Sequence, residues 1–314
     1  MRYGFGIDLG GTSVKIAFFE ETGSMLDSWQ IPTRTEDNGS HILPDIAASI
    51  LSYLQERQID RSQVIGAGLG VPGPVNSQGV VNKCVNLGWG VFNVSQTLSD
   101  LIGMPVKSGN DANVAALGEY WKGGGAGSSS MVMVTLGTGV GGGIVLDGHL
   151  LHGAHGSGGE LGHMVYDKNE TESCGCGKKG CVEQYCSATG VVTLAKRYLA
   201  EHQPLPSSLR ELEQLTAKDV FDAANQGDLV AHNILGTYYD CLGQFLASMC
   251  CVIDPEVVVL GGGVSKAGQI LLDGVKKYYD QYAFHACKVE FALASLGNDA
   301  GAYGAFKLVL DECG

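Results

Sequence analysis

The strongest chemistry in this chain is carried by His163 and the run Cys174-Gly175-Cys176-Gly177-Lys178-Lys179-Gly180-Cys181-Val182-Glu183. Three cysteines fall within eight residues, separated by glycines and lysines that form neither a core strand nor a helix. Cysteine thiolates are soft donors, and three sulfurs with one imidazole complete a closed tetrahedral zinc site. His163, Cys174, Cys176 and Cys181 are therefore the expected ligands of a structural Zn²⁺. Directly upstream, His155-Gly156-Ser157-Gly158-Gly159-Glu160-Leu161-Gly162-His163 exposes a carboxylate and the fourth ligand together. A metal beside that segment would shape a polar pocket. Buried or disulfide-bonded cysteines are the competing explanation, but an exposed loop of this composition buries nothing. Cys84, Cys186, Cys241, Cys250, Cys251, Cys287 and Cys313 are scattered and read as ordinary small hydrophobes.

A second chemistry lies in the glycines. They number 47 in 314 residues, about twice the usual ~7%, and clustered loop glycine marks backbone that approaches a ligand closely. Asp8-Leu9-Gly10-Gly11-Thr12 is echoed by Thr135-Leu136-Gly137-Thr138-Gly139, each a glycine turn between two apolar strands. A polyphosphate would lie between two such turns, held by backbone N–H groups and the hydroxyls of Thr12 and Thr138. Gly261-Gly262-Gly263, at the end of the apolar run Val257–Leu260, adds a third strand-end turn. No G-x-x-x-x-G-K-[ST] is present, which excludes a P-loop. The first turn feeds a strand rather than a helix, which excludes a Rossmann fingerprint.

The elements that must position these groups follow from spacing. Tyr3–Asp8, Val14–Glu20 and Met25–Ile31 read as a meander of strands. Ile42, Ile46, Ile50 and Leu54 give His41–Arg57 helical spacing. Val64–Gly70 is a buried strand stopped by Val71-Pro72-Gly73-Pro74. Val106–Gly109 is a short strand leading into a helix that runs to Trp121, capped by Asn110 or Asp111. Gly123–Ser130 is the flexible stretch, expected to join two lobes. Met131–Leu136, the turn 137–143 and Ile144–Asp147 form the second strand–turn–strand unit. Helices are expected over Ser187–Glu201, Ala217–Gln226, Asp228–Cys251 and Asp299–Leu310. The expected division is a small α/β lobe over 1–115, completed by a C-terminal helix at 298–314. A large α/β lobe over 116–297 would carry the zinc site and the dimerisation helices.

Composition narrows the function. The formal charge of −13 argues against nucleic acid, whose phosphates require a basic footprint. An acidic protein still holds phosphates through backbone N–H groups and Mg²⁺. There is no run of 18 apolar residues to span a membrane. The opening Met1-Arg2-Tyr3-Gly4-Phe5-Gly6-Ile7-Asp8 lacks the features of a signal peptide. Ten cysteines without such a signal point to a reducing cytoplasm.

Taken together, several segments resemble the ROK family of bacterial sugar kinases and sugar-responsive repressors. They are Asp8-Leu9-Gly10-Gly11-Thr12 with Lys15, Gly70-Val71-Pro72-Gly73, Asn110-Asp111-Ala112-Asn113 and Leu136–Gly141. Gly159-Glu160-Leu161-Gly162-His163, the cysteine run and Gly261-Gly262-Gly263 complete the set. The ending Leu296–Ala305 is most similar to the glucose-phosphorylating members. The resemblance implies an actin-like ATPase (ribonuclease H-like) fold with two lobes, ATP and sugar meeting in a central cleft.

It also implies residue roles. Asp111 is the catalytic general base that takes the proton of the attacking hydroxyl, a contribution typically worth about 10²–10⁴ in rate. Asn110, Asp111, Glu160, His163 and Glu183 bind the sugar, since each buried hydroxyl must be paired. His163 would bind zinc through one ring nitrogen and face a hydroxyl with the other. Asp8 would hold Mg²⁺ through water. Gly10, Gly11, Thr12, Thr138 and Gly139 would clamp the phosphates of ATP, with Gly261, Gly262 and Gly263 under the adenosine. Lys15 is either near the phosphates or simply solvated.

The function this implies is ATP- and Mg²⁺-dependent phosphorylation of glucose at its 6-hydroxyl. A kinase for fructose, N-acetylglucosamine or N-acetylmannosamine is the alternative. A sugar-sensing repressor would need an added DNA-binding segment, for which the start before Asp8 leaves no room. An actin-like assembly protein would not need Glu160, His163, Glu183 or the zinc loop. The expected partners are small molecules and further copies of the chain, as a homodimer or homotetramer. The apolar helix 228–251 would serve either as an interface or as core.

Overall fold

Alternation in Tyr3-Gly4-Phe5-Gly6-Ile7-Asp8-Leu9 builds a strand with two unlike faces, one of large apolar side chains and one nearly bare. The computed structural model describes residues 2–314, and the chain divides into two compact units. The first contains Met1–Gly127, Gly143–Gly159 and Ser295–Gly314; the second contains Ser128–Gly142 and Glu160–Ala294.

The first part of the chain forms β1 (Tyr3–Leu9), β2 (Ser13–Glu20), β3 (Met25–Pro32), the single turn α1 (Glu36–Gly39), α2 (Ile42–Glu56) and β4 (Val64–Val71). There follow the short pair β5 (Val80–Val81) and β6 (Phe92–Asn93), then α3 (Val94–Ile102), β7 (Val106–Asn110) and α4 (Asp111–Lys122). Next come β8 (Ser130–Leu136), β9 (Val140–Leu146), β10 (His149–Leu150), α5 (Glu183–Cys186), α6 (Ala188–Glu201) and α7 (Ala217–Asn225). The chain ends with α8 (Leu229–Ile253), β11 (Val257–Gly261), α9 (Gln269–Tyr282), β12 (Glu290–Leu293) and α10 (Ala300–Cys313).

The first sheet has the order β3-β2-β1-β4-β7. β1, β2 and β3 are the antiparallel meander, and β4 and β7 add in parallel. Phe5, Ile7 and Leu9 pack with Ile42, Ile46 and Ile50 of α2 and Leu98 of α3 in one buried core. On the opposite face the glycines admit α10. A Cβ at Gly6 would collide with the Ala302 carbonyl and one at Gly68 with that of Ala305. Part of the glycine excess therefore serves helix–sheet packing rather than a ligand. Phe306 of α10 stacks on Phe19, ring centroids 4.8 Å apart.

The second sheet has the order β10-β9-β8-β11-β12. The plan of the first sheet recurs, with three strands consecutive in sequence followed by two parallel additions, β11 and β12. The echo between the two glycine turns thus reflects a repeated topology. α8 is largely core: Tyr238, Leu242, Leu246 and Cys250 are fully buried, and its exposed stripe runs through His232, Asn233, Gln244 and Ser248.

Three expectations need correction. The second glycine turn is shorter than expected, because Gly141, Gly142 and Gly143 already lie in β9. Gly143 is there because a side chain would strike Ala116 of α4. The units do not divide at 115, which would cut α4 in the middle. Residues 116–127, 143–159 and 295–297 join the first unit, and Gly118 of α4 fits closely against the Ala300 carbonyl of α10. Finally, α3, α9 and β12 were not expected from the sequence. No helix among the described residues is long and apolar enough to cross a membrane.

Candidate functional site

Asp8 follows Gly4 and Gly6 on the bare face of β1, so its carboxylate emerges where α10 begins. A Cβ at Gly301 would lie 2.5 Å from the Asp8 carboxyl carbon. An anion at a helix N-terminus is electrostatically favoured. Burial nevertheless raises the Asp8 pKa above its ordinary value, with Lys15 opposing the rise. Lys15 is Asp8's partner across the β1–β2 ladder. Its ammonium is mostly buried, ion-paired with Asp299 and bonded to the Asn298 carbonyl at 3.2 Å. It is therefore not simply solvated: Lys15 pins the entry to α10 beside Asp8. The turn itself is closed by Gly10 N–H donating to the Ser13 carbonyl at 3.0 Å. Gly11 and Thr12 are exposed, and nothing lies within 4 Å of a Cβ placed on Gly11.

At the end of β7, Asn110 caps α4. Its side-chain oxygen accepts the N–H groups of Ala112 (3.0 Å) and Asn113 (3.2 Å), satisfying donors that a helix start otherwise leaves unpaired. The Asn110 amide donates to the Gly73 carbonyl at 3.2 Å, which ties the Pro72–Pro74 loop to the strand end. Asp111 is the first helical residue and accepts the Ala112 N–H at 2.8 Å. Asn113, one turn on, is buried and donates to the Gly158 carbonyl at 3.0 Å. The start of α4 thus anchors the segment that leads into Glu160.

In the second unit, His163, Cys174, Cys176 and Cys181 come together, their ligand atoms all within 4.8 Å of one another. The loop is closed by Cys174 N–H to the Lys178 carbonyl (2.7 Å) and Gly177 N–H to the Cys174 carbonyl (2.9 Å). Val182 N–H donates to the Met164 carbonyl at 2.9 Å, bringing His163 alongside Cys181. The residues fit zinc on two counts. Cys176 and Cys181 sulfurs are 3.6 Å apart, close to the ~3.8 Å edge of a tetrahedron with Zn–S bonds of ~2.3 Å. The His163 Nδ1 is buried without a hydrogen-bond partner, a costly state that a metal bond would relieve. The other ring nitrogen, Nε2, faces the Glu160 carboxylate at 3.9 Å.

Glu183 begins α5 and turns toward the second glycine turn. Its Oε2 accepts the Val140 N–H at 3.0 Å, and its Oε1 lies 3.4 Å from the Cys174 sulfur. A Cβ at Gly139 would meet the Glu183 carboxylate, which would have to leave its place on the turn. The same turn is held from α6 by Ala188 N–H to the Gly137 carbonyl (2.7 Å) and the Thr189 hydroxyl to the Thr138 carbonyl (3.0 Å). Thr138 itself is exposed. A cavity of about 230 Å³ beside it is lined by Thr138, Cys174, Glu183, Thr189, Thr193 and Arg197. Gly262, with φ of +81°, lies against the Leu136 backbone, so the Gly261–Gly263 turn adjoins the start of the 137–139 turn. Gly263 faces open space.

Each unit therefore gathers its own share of the expected residues. The first holds Asp8, Gly10, Gly11, Thr12, Lys15, Asn110 and Asp111. The second holds Thr138, Gly139, Glu160, His163, the cysteines, Glu183 and Gly261–Gly263. Sequence reasoning missed the roles of Asp299, Gly301, Asn113 and Thr189. Only Asn113 carried a signal, as part of the Asn110-Asp111-Ala112-Asn113 segment at the helix start.

Comparison with known proteins places the whole chain in one family. The profile of the ROK family matches residues 4–312. A glucokinase of Halalkalibacterium halodurans is 42% identical over 99% of this chain and 96% of its own. A glucokinase of Thermotoga maritima is 35% identical over 98% of each chain. The crystal structure of a ROK family glucokinase from Streptomyces griseus in complex with glucose and AMPPNP superposes with a TM-score of 0.75. That protein is 30% identical, with 98% of both chains covered.

Proposed function

The chain belongs to the ROK family, with its actin-like ATPase fold, and on that premise we propose that it is a glucokinase: it transfers the γ-phosphoryl group of ATP to the 6-hydroxyl of D-glucose. The observation that carries the reading is the Asn110–Asp111 corner, where a capped helix start presents a fixed carboxylate. Phosphoryl transfer depends on positioning and charge stabilisation more than on covalent chemistry. Asp111 accepts the hydroxyl proton as the sugar oxygen attacks phosphorus, and it does so without adding positive charge beside Mg-ATP. Asn110, Glu160, His163 and Glu183 supply the mixed donors and acceptors that a polyol requires. Asp8 would hold the Mg²⁺ that accompanies ATP. Backbone N–H groups of the 10–12 and 137–139 turns, with the Thr12 and Thr138 hydroxyls, receive the phosphate charge.

His163, Cys174, Cys176 and Cys181 would hold zinc. Bound there, the metal fills its shell with protein ligands and supplies structure rather than Lewis-acid chemistry. The His163 ring, held through Nδ1, keeps Nε2 directed toward Glu160 and the sugar hydroxyls. The position of Glu183, two residues past Cys181, depends on the same loop.

The test is kcat/KM for glucose, mannose, fructose, N-acetylglucosamine and N-acetylmannosamine under one set of conditions. Glucose should lead, because a displaced hydroxyl leaves a buried partner unpaired at about 1–3 kcal/mol, or roughly tenfold to a hundredfold. A competitor tenfold better than glucose overturns the sugar assignment. Asp111→Asn should fold, bind glucose and lose at least about 10²-fold in kcat. Normal turnover in that variant removes Asp111 from the reaction.

A further inference from the structure

Eight residues after Asp111, and therefore about 12 Å along the same helix, Glu119 is completely buried. A buried carboxylate is costly unless strong hydrogen bonds replace its water. None of the Lys, Arg or His side chains among the described residues is ion-paired with it. Its oxygens accept backbone N–H groups instead: Gly124 at 2.8 Å and Ser295 at 3.0 Å on Oε2, and Leu296 at 2.8 Å on Oε1.

These donors are not scattered. Gly124 lies on the segment by which the chain first passes into the second unit, at Ser128, and Ser295 is the residue at which it returns for the last time, two of the four crossings between the units. On the return path Ala294 N–H donates to the Leu260 carbonyl in the second unit, and the next N–H, that of Ser295, donates to Glu119. On the outward path the Gly124 N–H goes to Glu119, while the Ser129 N–H goes to Glu256 of the second unit at 2.8 Å. Only residues 125–128 separate those two grips. The glycine-rich stretch that reads in the sequence as a loose joint is thus fixed at both ends. The helix that fixes its first end begins with Asp111.

We propose that Glu119 is a positioning residue for phosphoryl transfer. It locks two of the four crossings between the units, those at 127/128 and 294/295, to the helix that begins with Asp111. This role rests on Asp111 being the base. It acts on the step that needs both substrates aligned, and not on the binding of either one alone.

Glu119→Gln keeps the shape but replaces one acceptor oxygen with an NH₂ that confronts backbone donors. Ser295→Pro removes a single linker N–H without altering α4, and Ser295→Ala, which keeps it, is the control. The measurements are kcat at saturating glucose and Mg-ATP, per mole of folded protein, and the separate dissociation constants for glucose and Mg-ADP. A positioning role predicts that Glu119→Gln and Ser295→Pro lose about tenfold to a hundredfold in kcat, the usual effect of ångström-scale misalignment. The two dissociation constants should stay close to those of the parent, and Ser295→Ala should behave as the parent. A merely structural role would lower the unfolding temperature and leave kcat of the folded fraction intact, which overturns the proposal. If Glu119→Gln does not fold, Ser295→Pro against Ser295→Ala decides alone. Asp111→Asn is run in parallel. If it is inactive while Glu119→Gln and Ser295→Pro keep full kcat, only the positioning role fails. If Asp111→Asn is active, the base assignment fails with it.

Discussion

The Glu183 carboxylate accepts the backbone N–H of Val140 at 3.0 Å while its other oxygen lies 3.4 Å from the Cys174 sulfur. One side chain therefore touches both the cysteine loop and the end of the second glycine turn. In the proposed reaction those two features serve different substrates, the sugar and the nucleotide.

Glu183→Ala should accordingly raise KM for both glucose and ATP. Loss of a charge-assisted hydrogen bond is worth about 1.5–3 kcal/mol, roughly tenfold to a hundredfold on glucose. The effect on ATP should be smaller, since Ala188 and Thr189 still hold the turn. Steady-state kinetics with each substrate varied in turn separates the two. An unchanged KM for ATP would reduce Glu183 to a sugar ligand.

What was legible in the sequence was the chemistry carried by short spacings. The cysteine loop could be read because its ligands lie within eight residues and because its glycines exclude a core role. The two glycine turns could be read because each is continuous, and their echo anticipated the shared sheet order. Lys15 could not be placed, because its partner Asp299 lies 284 residues away. Glu119 is the same case: its linker donors Ser295 and Leu296 are 176 and 177 residues away. The role of the glycines in β1 and β4 was hidden for a different reason. Composition records an absent side chain but not whether a ligand or a helix fills the space, and at Gly6 and Gly68 the space is filled by α10.

Purified, reduced protein should contain one zinc per chain. Of the four ligands Cys176 is the exposed one, so chelators should gain access from that side. Cys176→Ala should lose metal, glucose affinity and thermal stability together. Nucleotide affinity should fall less, since the 10–12 turn belongs to a separate unit. Elemental analysis, with glucose and ADP titrations on the same samples, checks this; absence of zinc in the parent protein would end the metal assignment.

Asp8 should show activity and stability pulling apart. Its folded pKa is raised, chiefly by burial. A carboxyl group in that state stabilises the fold below its unfolded pKa, and that contribution is lost as pH rises through the folded value. At neutral pH its charge is therefore a cost of folding. Asp8→Asn should raise or preserve the unfolding temperature at neutral pH without nucleotide, yet lose about 10²–10³-fold in kcat, as when one preorganised electrostatic group is removed. Thermal denaturation and turnover of the same preparation test both halves. A clear drop in unfolding temperature would show that the ladder contact with Lys15 outweighs the burial cost.

Glu170 should give the opposite pH dependence. Its side chain is only 5% exposed and pairs with Arg197 at 3.0 Å, and the Tyr185 hydroxyl donates to it at 2.7 Å. Arg197 first and Tyr185 second hold its pKa down at about 2, from an ordinary 4.5. A depressed carboxyl pKa contributes stability that is fully present above the unfolded value and is lost as pH falls through the folded one. The parent should exceed Glu170→Gln by on the order of 1–3 kcal/mol near pH 6, the usual worth of a hydrogen bond to a charged group together with the partner left unpaired. That difference should shrink between pH 4.5 and pH 2. Acid would also release a zinc held by the cysteine and histidine ligands in both proteins, so the difference between the two, and not either curve alone, is the observable. Urea unfolding of parent and variant at matched pH provides it. A difference that stays constant across that window would mean that Glu170 acts by packing and not by charge.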